Sequence, residues 1–365
     1  MSRHESIDTP DHPQLASLCR SLAERADSLD QSGDWPKEQL QLLADCGVFR
    51  WFMGPEWDGF DWNECDVMKG YAALSAACLT TTFVLTQRTG ACRRIEASEN
   101  EWAKGRLLPG LADGSIFATV GVSHLTTSRQ HTGKPALTAE PTADGFVLDG
   151  MSPWVTGAPW ADYVVVGATL VEQGQPTGSQ ILIVAPTDLP GVTAPPHVPL
   201  VGVGASHTGQ LLFDKVNVDR QWLLAGPVEN VMAHASGVAT GGFQTSTLAL
   251  GLASAALAFL KQESERRHEL GSPLAALQRE CQQLESDLLA AVGGNPTCTT
   301  EQLRQRANSL ALRSAQASLA AAKGAGYVVG HPAGRWCREA LFFLVWSCPQ
   351  GVLNANLCEL AGISG

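Results

Sequence analysis

The chain has 365 residues, 44% hydrophobic and 17% charged, a balance that fits one or more packed domains and excludes a disordered polymer. Lys and Arg number 25 against 36 Asp and Glu, and the net charge of −11 repels phosphate backbones, so no nucleic-acid partner is expected. Ten cysteines without a CxxC pair write neither a zinc site nor a thioredoxin-type motif and read as free cytosolic thiols.

The N-terminal MSRHESIDTPDHP has no apolar signal region, and the longest apolar stretch, Leu248 to Leu260, is too short to span a bilayer; the expected location is the cytoplasm. From Pro36, Leu40, Leu43, Val48 and Trp51 form a helical stripe broken by Gly47, and GPEWDGFDW turns the chain. Glu64 to Thr89 and Glu99 to Ala112 are rich in Ala and Leu, with few breakers before Pro109 and Gly114. Short β-branched runs follow at Ser115 to Val122, Gly145 to Gly150, Tyr163 to Leu170, Gln180 to Ala185 and Gln210 to Val218. Helical periodicity returns in Thr245 to Arg267, Pro273 to Ala291, Thr300 to Ala325 and Arg335 to Trp346. No internal repeat is present. The expected fold is α+β and multi-domain: an N-terminal α-helical domain over 1–114, a middle antiparallel β-domain, barrel- or sandwich-like, over 115–226, and a C-terminal four-helix bundle over 227–365.

Six segments in order carry a resemblance. PKEQLQLLADCGVFRWFMGPEWDGF holds Pro36, Gly47, Pro55, Glu56 and Gly59; LLPGLADGSIFATVGVS runs from Leu107; LDGMSPWVTGAPWADYVVVGA runs from Leu148. GVGASHTGQLLFDKVNV, from Gly202, holds Ser206, Thr208 and Phe213; RHELGSPLAALQ starts at Arg267 and GAGYVVGHPAGRWCREA at Gly324. Together, from about Pro36 to about Trp346, they resemble the acyl-CoA dehydrogenase family of flavoproteins.

The resemblance implies an FAD oxidoreductase acting on an acyl thioester. It assigns Val122, Ser123, Ser128, Trp154, Thr156, Arg267, Gln278 and Gly324 to the cofactor, with Trp154 packed on the isoalloxazine and Thr156 near its N5. Arg267 and Gln278 would reach FAD bound on another subunit, which implies a homodimer or homotetramer. A flavin needs an aromatic wall, donors for its pyrimidine edge and N5, and a cation for its phosphates, and these residue types supply them.

The sequence departs from the family where the chemistry is done. Alignment puts Ser347 at the catalytic Glu and Cys348 at the following Gly, and a serine hydroxyl does not accept an α-proton at neutral pH. The second position at which family members carry a base falls on Gly241; the arginine beside it is replaced by Gly242 and the preceding acid by Ala239. The glycine-rich flavin loop is replaced by Ser123, His124, Leu125, Thr126, Thr127, Ser128, Arg129 and Gln130, which keeps a hydroxyl but loses the glycines that admit a phosphate. The chain ends soon after the point where the family's last helix begins, so a trimmed bundle is expected. Substitute catalytic groups are His124, Cys348 and, less centrally, Glu339, with Ser347 itself in the site. Two other readings stand beside dehydrogenation: a flavin-dependent monooxygenase on the same fold, and a non-catalytic homologue with a decayed flavin site.

Overall fold

The computed structural model describes residues 5–126, 134–234 and 242–363. α1 (Pro13–Ser32) opens where the His12 ring accepts from the Gln14 amide, and it closes on Gly33 in the left-handed region. This helix precedes the first one expected from the sequence. α2 (Lys37–Asp45) matches the stripe after Pro36. The apolar run from Glu64 divides into α3 (Glu64–Ala77) and α4 (Leu79–Glu96), because Cys78 is extended between them. No Gly or Pro marks that break in the sequence. α5 (Glu101–Asp113) runs through Pro109 and ends at Gly114, so the expected breaker sits inside the helix.

The middle of the chain forms β1 (Ala118–Gly121), a short α6 (Ser123–Thr126), β2 (Leu137–Pro141), β3 (Gly145–Val155), β4 (Tyr163–Glu172), β5 (Gln175–Pro186), β6 (Val192–Thr193), β7 (Gly209–Asp219) and β8 (Leu223–Val228). Among the described residues these strands make one sheet in the order β6-β7-β3-β2-β4-β5-β8, with β1 on β4. Most pairs are antiparallel, as expected, but β1 and β2 both pair with β4 in parallel, so the sheet is mixed. Its inner face buries Leu148, Val166, Ile183 and Phe213, and its other face meets α4 and α5 through Val120, Val165 and Leu182.

After α7 (Val231–His234), four helices form the C-terminal bundle: α8 (Phe243–Ser264), α9 (Gly271–Val292), α10 (Thr300–Ala322) and α11 (Pro332–Phe342), followed by α12 (Gln350–Leu360). α12 corrects the expectation of a bundle trimmed at this end: Val352 and Asn356 are buried, and the Ser309 hydroxyl of α10 donates to Glu359. α8 is long and apolar enough to cross a membrane by length and composition. It is instead packed in the helical core, where Leu248, Leu252, Ala256 and Leu260 are buried.

α1 is tied to α11 by charge. Arg335 Nε donates to Asp27 Oδ1 at 2.8 Å, Arg338 bonds Asp30, and Arg335 also pairs with the fully buried Glu339 at 3.4 Å. Burial of a charge costs several kcal/mol unless it is paired in this way.

Candidate active site

A cleft of about 1280 Å³ opens between the sheet and helices α3, α4, α8 and α11. Its β wall starts at the end of β1, where a Cβ on Gly121 would lie 2.7 Å from Ser152 Oγ, so β3 approaches closely and brings Trp154 beside Val122 and Ser123. Along β3 the side chains alternate, with Pro153 and Val155 buried and Trp154 48% exposed on the cleft. A tryptophan ring left open in a concave site presents an apolar face sized for another ring.

Thr156 follows in the turn. Its Oγ1 lies 3.0 Å from Thr208 Oγ1, which lies 2.8 Å from Ser206 Oγ. Each hydroxyl has one proton; in the arrangement in which Ser206 donates to Thr208 and Thr208 to Thr156, the Thr156 proton is free to point into the cleft. The turn is held open by Gly157, at φ 66°, whose Cβ would lie 2.5 Å from the Trp35 ring. His207 braces the other side: its Nδ1 accepts from Trp160 Nε1 at 2.8 Å, and its Nε2 then donates to Gly33 O at 2.9 Å.

The helical wall has two parts. Near α11, Phe83, Phe342 and Trp346 pack together, with Phe342 and Trp346 stacked at 4.9 Å, and Ser347 lines the cleft beside them in the left-handed region at φ 44°. Deeper, α4 turns Thr86, Thr89, Arg93 and Arg94 inward, a helical spacing that shares one side. Tyr71 from α3 and Gln244 and Thr245 from α8 face them. Arg93 pairs with Glu64 at 2.8 Å. Arg94 folds back on Gly90 O at 2.8 Å, and burial pulls its pKa down to about 10.

The carboxylates lining the cleft are Glu56, Asp61, Glu64 and Glu96. Glu64 is held by Arg93, and Glu96 accepts from the Gly54 amide at 2.7 Å. Burial raises the Glu96 pKa against that bond.

The expected site residues divide. Val122, Ser123, Trp154, Thr156 and Ser347 line one cleft. His124 does not: Nε2 donates to Gly167 O at 2.7 Å, because Leu125 is pressed against the glycine of β4 and holds the turn there. Burial lowers the His124 imidazole pKa, against the opposing bond to Gly167 O. Cys348 is also off the wall, and burial raises its thiol pKa, which disfavours the thiolate. Glu339 is 1% exposed and engaged with Arg335. Arg267 bonds Glu263 and Ala321 O, each at 2.5 Å; it, Gln278 and Gly324 lie on the bundle and not on the cleft wall. Ser128, Ala239 and Gly241 fall outside the described residues.

Sequence reasoning passed over Tyr71, Thr89, Arg94 and Gln244. Each sits in a run that reads as an ordinary amphipathic helix, so no local signal distinguished them. Only the convergence of α3, α4 and α8 does.

The open Trp154 ring, the hydroxyl series ending at Thr156 and the backbone turn at Val122 and Ser123 fit a flavin ring. The model of the family described as "Acyl-CoA dehydrogenase, middle domain" matches residues 121–216, the stretch that builds this wall. The chain is 24% identical over 362 residues to the mitochondrial short-chain specific acyl-CoA dehydrogenase of Rattus norvegicus, covering 92% of this chain and 87% of the relative. Butyryl-CoA dehydrogenase from Megasphaera elsdenii superposes with a TM-score of 0.81 at 18% identity, covering 95% of this chain and 97% of that one. KijD3, solved with FMN and dTDP-3-amino-2,3,6-trideoxy-4-keto-3-methyl-D-glucose, superposes with a TM-score of 0.72 at 20% identity, covering 99% and 98%. Both likenesses show the fold.

Proposed function

We propose, from the premise that this chain belongs to the acyl-CoA dehydrogenase family, that it is an FAD-dependent oxidoreductase acting on an acyl thioester. The observation that carries this reading is the pairing of the open Trp154 face with the Thr156 hydroxyl on one wall of a cleft whose other wall is aromatic. FAD, when bound, supplies a two-electron acceptor for a hydride. Trp154 would back its ring, Thr156 Oγ1 would donate a hydrogen bond to it, and the amides near Val122 and Ser123 would meet its polar edge. Arg267 and Gln278 would serve the cofactor of a second subunit in a homo-oligomer, in the cytoplasm, with Gly324 also a cofactor contact.

The thioester would enter beside Phe342 and Trp346, whose rings exclude water from the reacting carbons. Ser347 holds the place of the family's base and offers a hydroxyl only. His124 and Cys348 lie off the cleft wall and would not serve as bases. Anaerobic titration of the FAD-reconstituted protein with short, long and aromatic acyl-CoAs tests the reading. Loss of the flavin's visible absorbance with any thioester supports it, and an unchanged spectrum across the panel contradicts it.

The absence of a free carboxylate at Ser347 favours one second reading, a flavin-dependent monooxygenase on the same fold. KijD3 shows that this fold accepts FMN and a sugar nucleotide. Oxygen consumption with reduced flavin, in the absence of any bleaching by thioesters, distinguishes it.

A further inference from the structure

The floor of the cleft is more polar than an alkyl chain requires. Tyr71 is 1% exposed and Thr89 2% exposed, and both line the cleft. Neither Tyr71 Oη nor Thr89 Oγ1 makes a hydrogen bond of normal geometry, although both atoms are shut off from solvent. Burial pushes the Tyr71 phenol up to about 12, with Thr89 and Gln244 near enough to pull the other way, so the phenol keeps its proton. Thr86 and Thr245 add two more hydroxyls to the same lining.

A buried hydroxyl without a proper partner destabilises the fold, and a site built to bond a polar substrate leaves such groups waiting when it is empty. Arg93 is paired with Glu64, and both act on the Tyr71 phenol; Arg88, whose charge also reaches that phenol, lies off the cleft lining, stacked on the Phe49 ring and bonded to Leu111 O. Arg94 is tied back to Gly90, beside Val120 of β1. On the lining beside Tyr71 a carboxylate would find Arg93 already paired. A neutral hydroxyl or carbonyl group would find donors and acceptors on three helices.

We infer that the acyl group taken by this cleft carries a neutral hydrogen-bonding substituent, hydroxyl or carbonyl, on its distal part, which Tyr71 and Thr89 recognise with Gln244. This rests on the thioester reading above. The test uses FAD-reconstituted protein and three probes of equal chain length: butyryl-CoA, 4-hydroxybutyryl-CoA and succinyl-CoA. Binding is read as perturbation of the flavin spectrum. The hydroxylated thioester is expected to bind at least about tenfold more tightly than butyryl-CoA, one good hydrogen bond's worth. Tyr71→Phe and Thr89→Val should each remove most of that ratio. The melting temperature of each ligand-free variant should be unchanged or higher.

Equal or tighter binding of butyryl-CoA by the unaltered protein overturns this inference and leaves the thioester reading standing, as does a preference for succinyl-CoA. Lower melting temperatures in both variants overturn it too, because the hydroxyls would then be satisfied within the fold. If no thioester perturbs the flavin, the thioester reading falls and takes this inference with it.

Discussion

Thr156 Oγ1 lies 3.0 Å from Thr208 Oγ1, and Thr208 in turn bonds Ser206 at 2.8 Å. With Thr208 donating to Thr156, the Thr156 proton would be left to the cleft. Thr208→Val keeps the shape and removes the relay. FAD affinity should fall by about three- to tenfold, the worth of one hydrogen bond, measured by quenching of flavin fluorescence. Unaltered affinity would mean that Thr156 is oriented by other contacts.

Ser347→Glu restores a carboxylate to the cleft. If the missing base is what limits dehydrogenation, the rate at which butyryl-CoA bleaches the flavin should rise by about a hundredfold or more, the usual scale of general-base catalysis. Stopped-flow absorbance measures it. No gain would show that the cleft does not place a thioester α-carbon near residue 347.

Glu339→Ala should be strongly destabilising, because it leaves the 6% exposed Arg335 with only Asp27. Loss of one partner in a buried pair costs about 3–5 kcal/mol, readable in urea unfolding. The flavin spectrum of the variant that remains folded should be unchanged. A variant of normal stability but altered spectrum would move Glu339 from the α1–α11 tie into the site.

Asp287 makes bonds to Arg306 at 2.7 Å, Thr297 at 2.8 Å and Gln283 at 3.1 Å, and the Arg306 guanidinium holds its pKa below the ordinary 3.8. A carboxylate with a depressed folded pKa stabilises above its unfolded value, and that contribution disappears as the pH falls through the folded value. Arg306 is 39% exposed, so solvent screening limits the effect. Asp287→Asn should cost about 1–2 kcal/mol at neutral pH, with the gap to the unaltered protein closing as the pH drops below about 4. A gap that persists in acid would assign the effect to packing at the α9–α10 connection.

The α, β, α order was legible because periodicity changes twice along the chain, and the β wall was legible because Trp154 and Thr156 lie two residues apart in one motif. The α3–α4 break was not, since Cys78 carries no breaker chemistry, and Pro109 misled because a proline in the last turn of α5 does not end that helix. α1 went unread although Leu15, Leu18, Leu22, Ala26 and Leu29 recur at helical spacing, whereas α12 buries only Val352 and Asn356 and carries no such stripe. The placement of His124 was unreadable in principle: its neighbour Leu125 fills the space over Gly167, a contact between residues 42 apart. Tyr71, Thr89 and Gln244 meet only because three helices converge, so nothing local in the sequence pointed to a polar floor.

The visible absorbance of the protein after reconstitution with FAD and removal of the excess tests the flavin site most directly. The proposed site predicts about one bound flavin per chain, with Trp154→Ala retaining markedly less. A colourless protein after reconstitution, or full retention by Trp154→Ala, would contradict the flavin site built on Trp154 and Thr156.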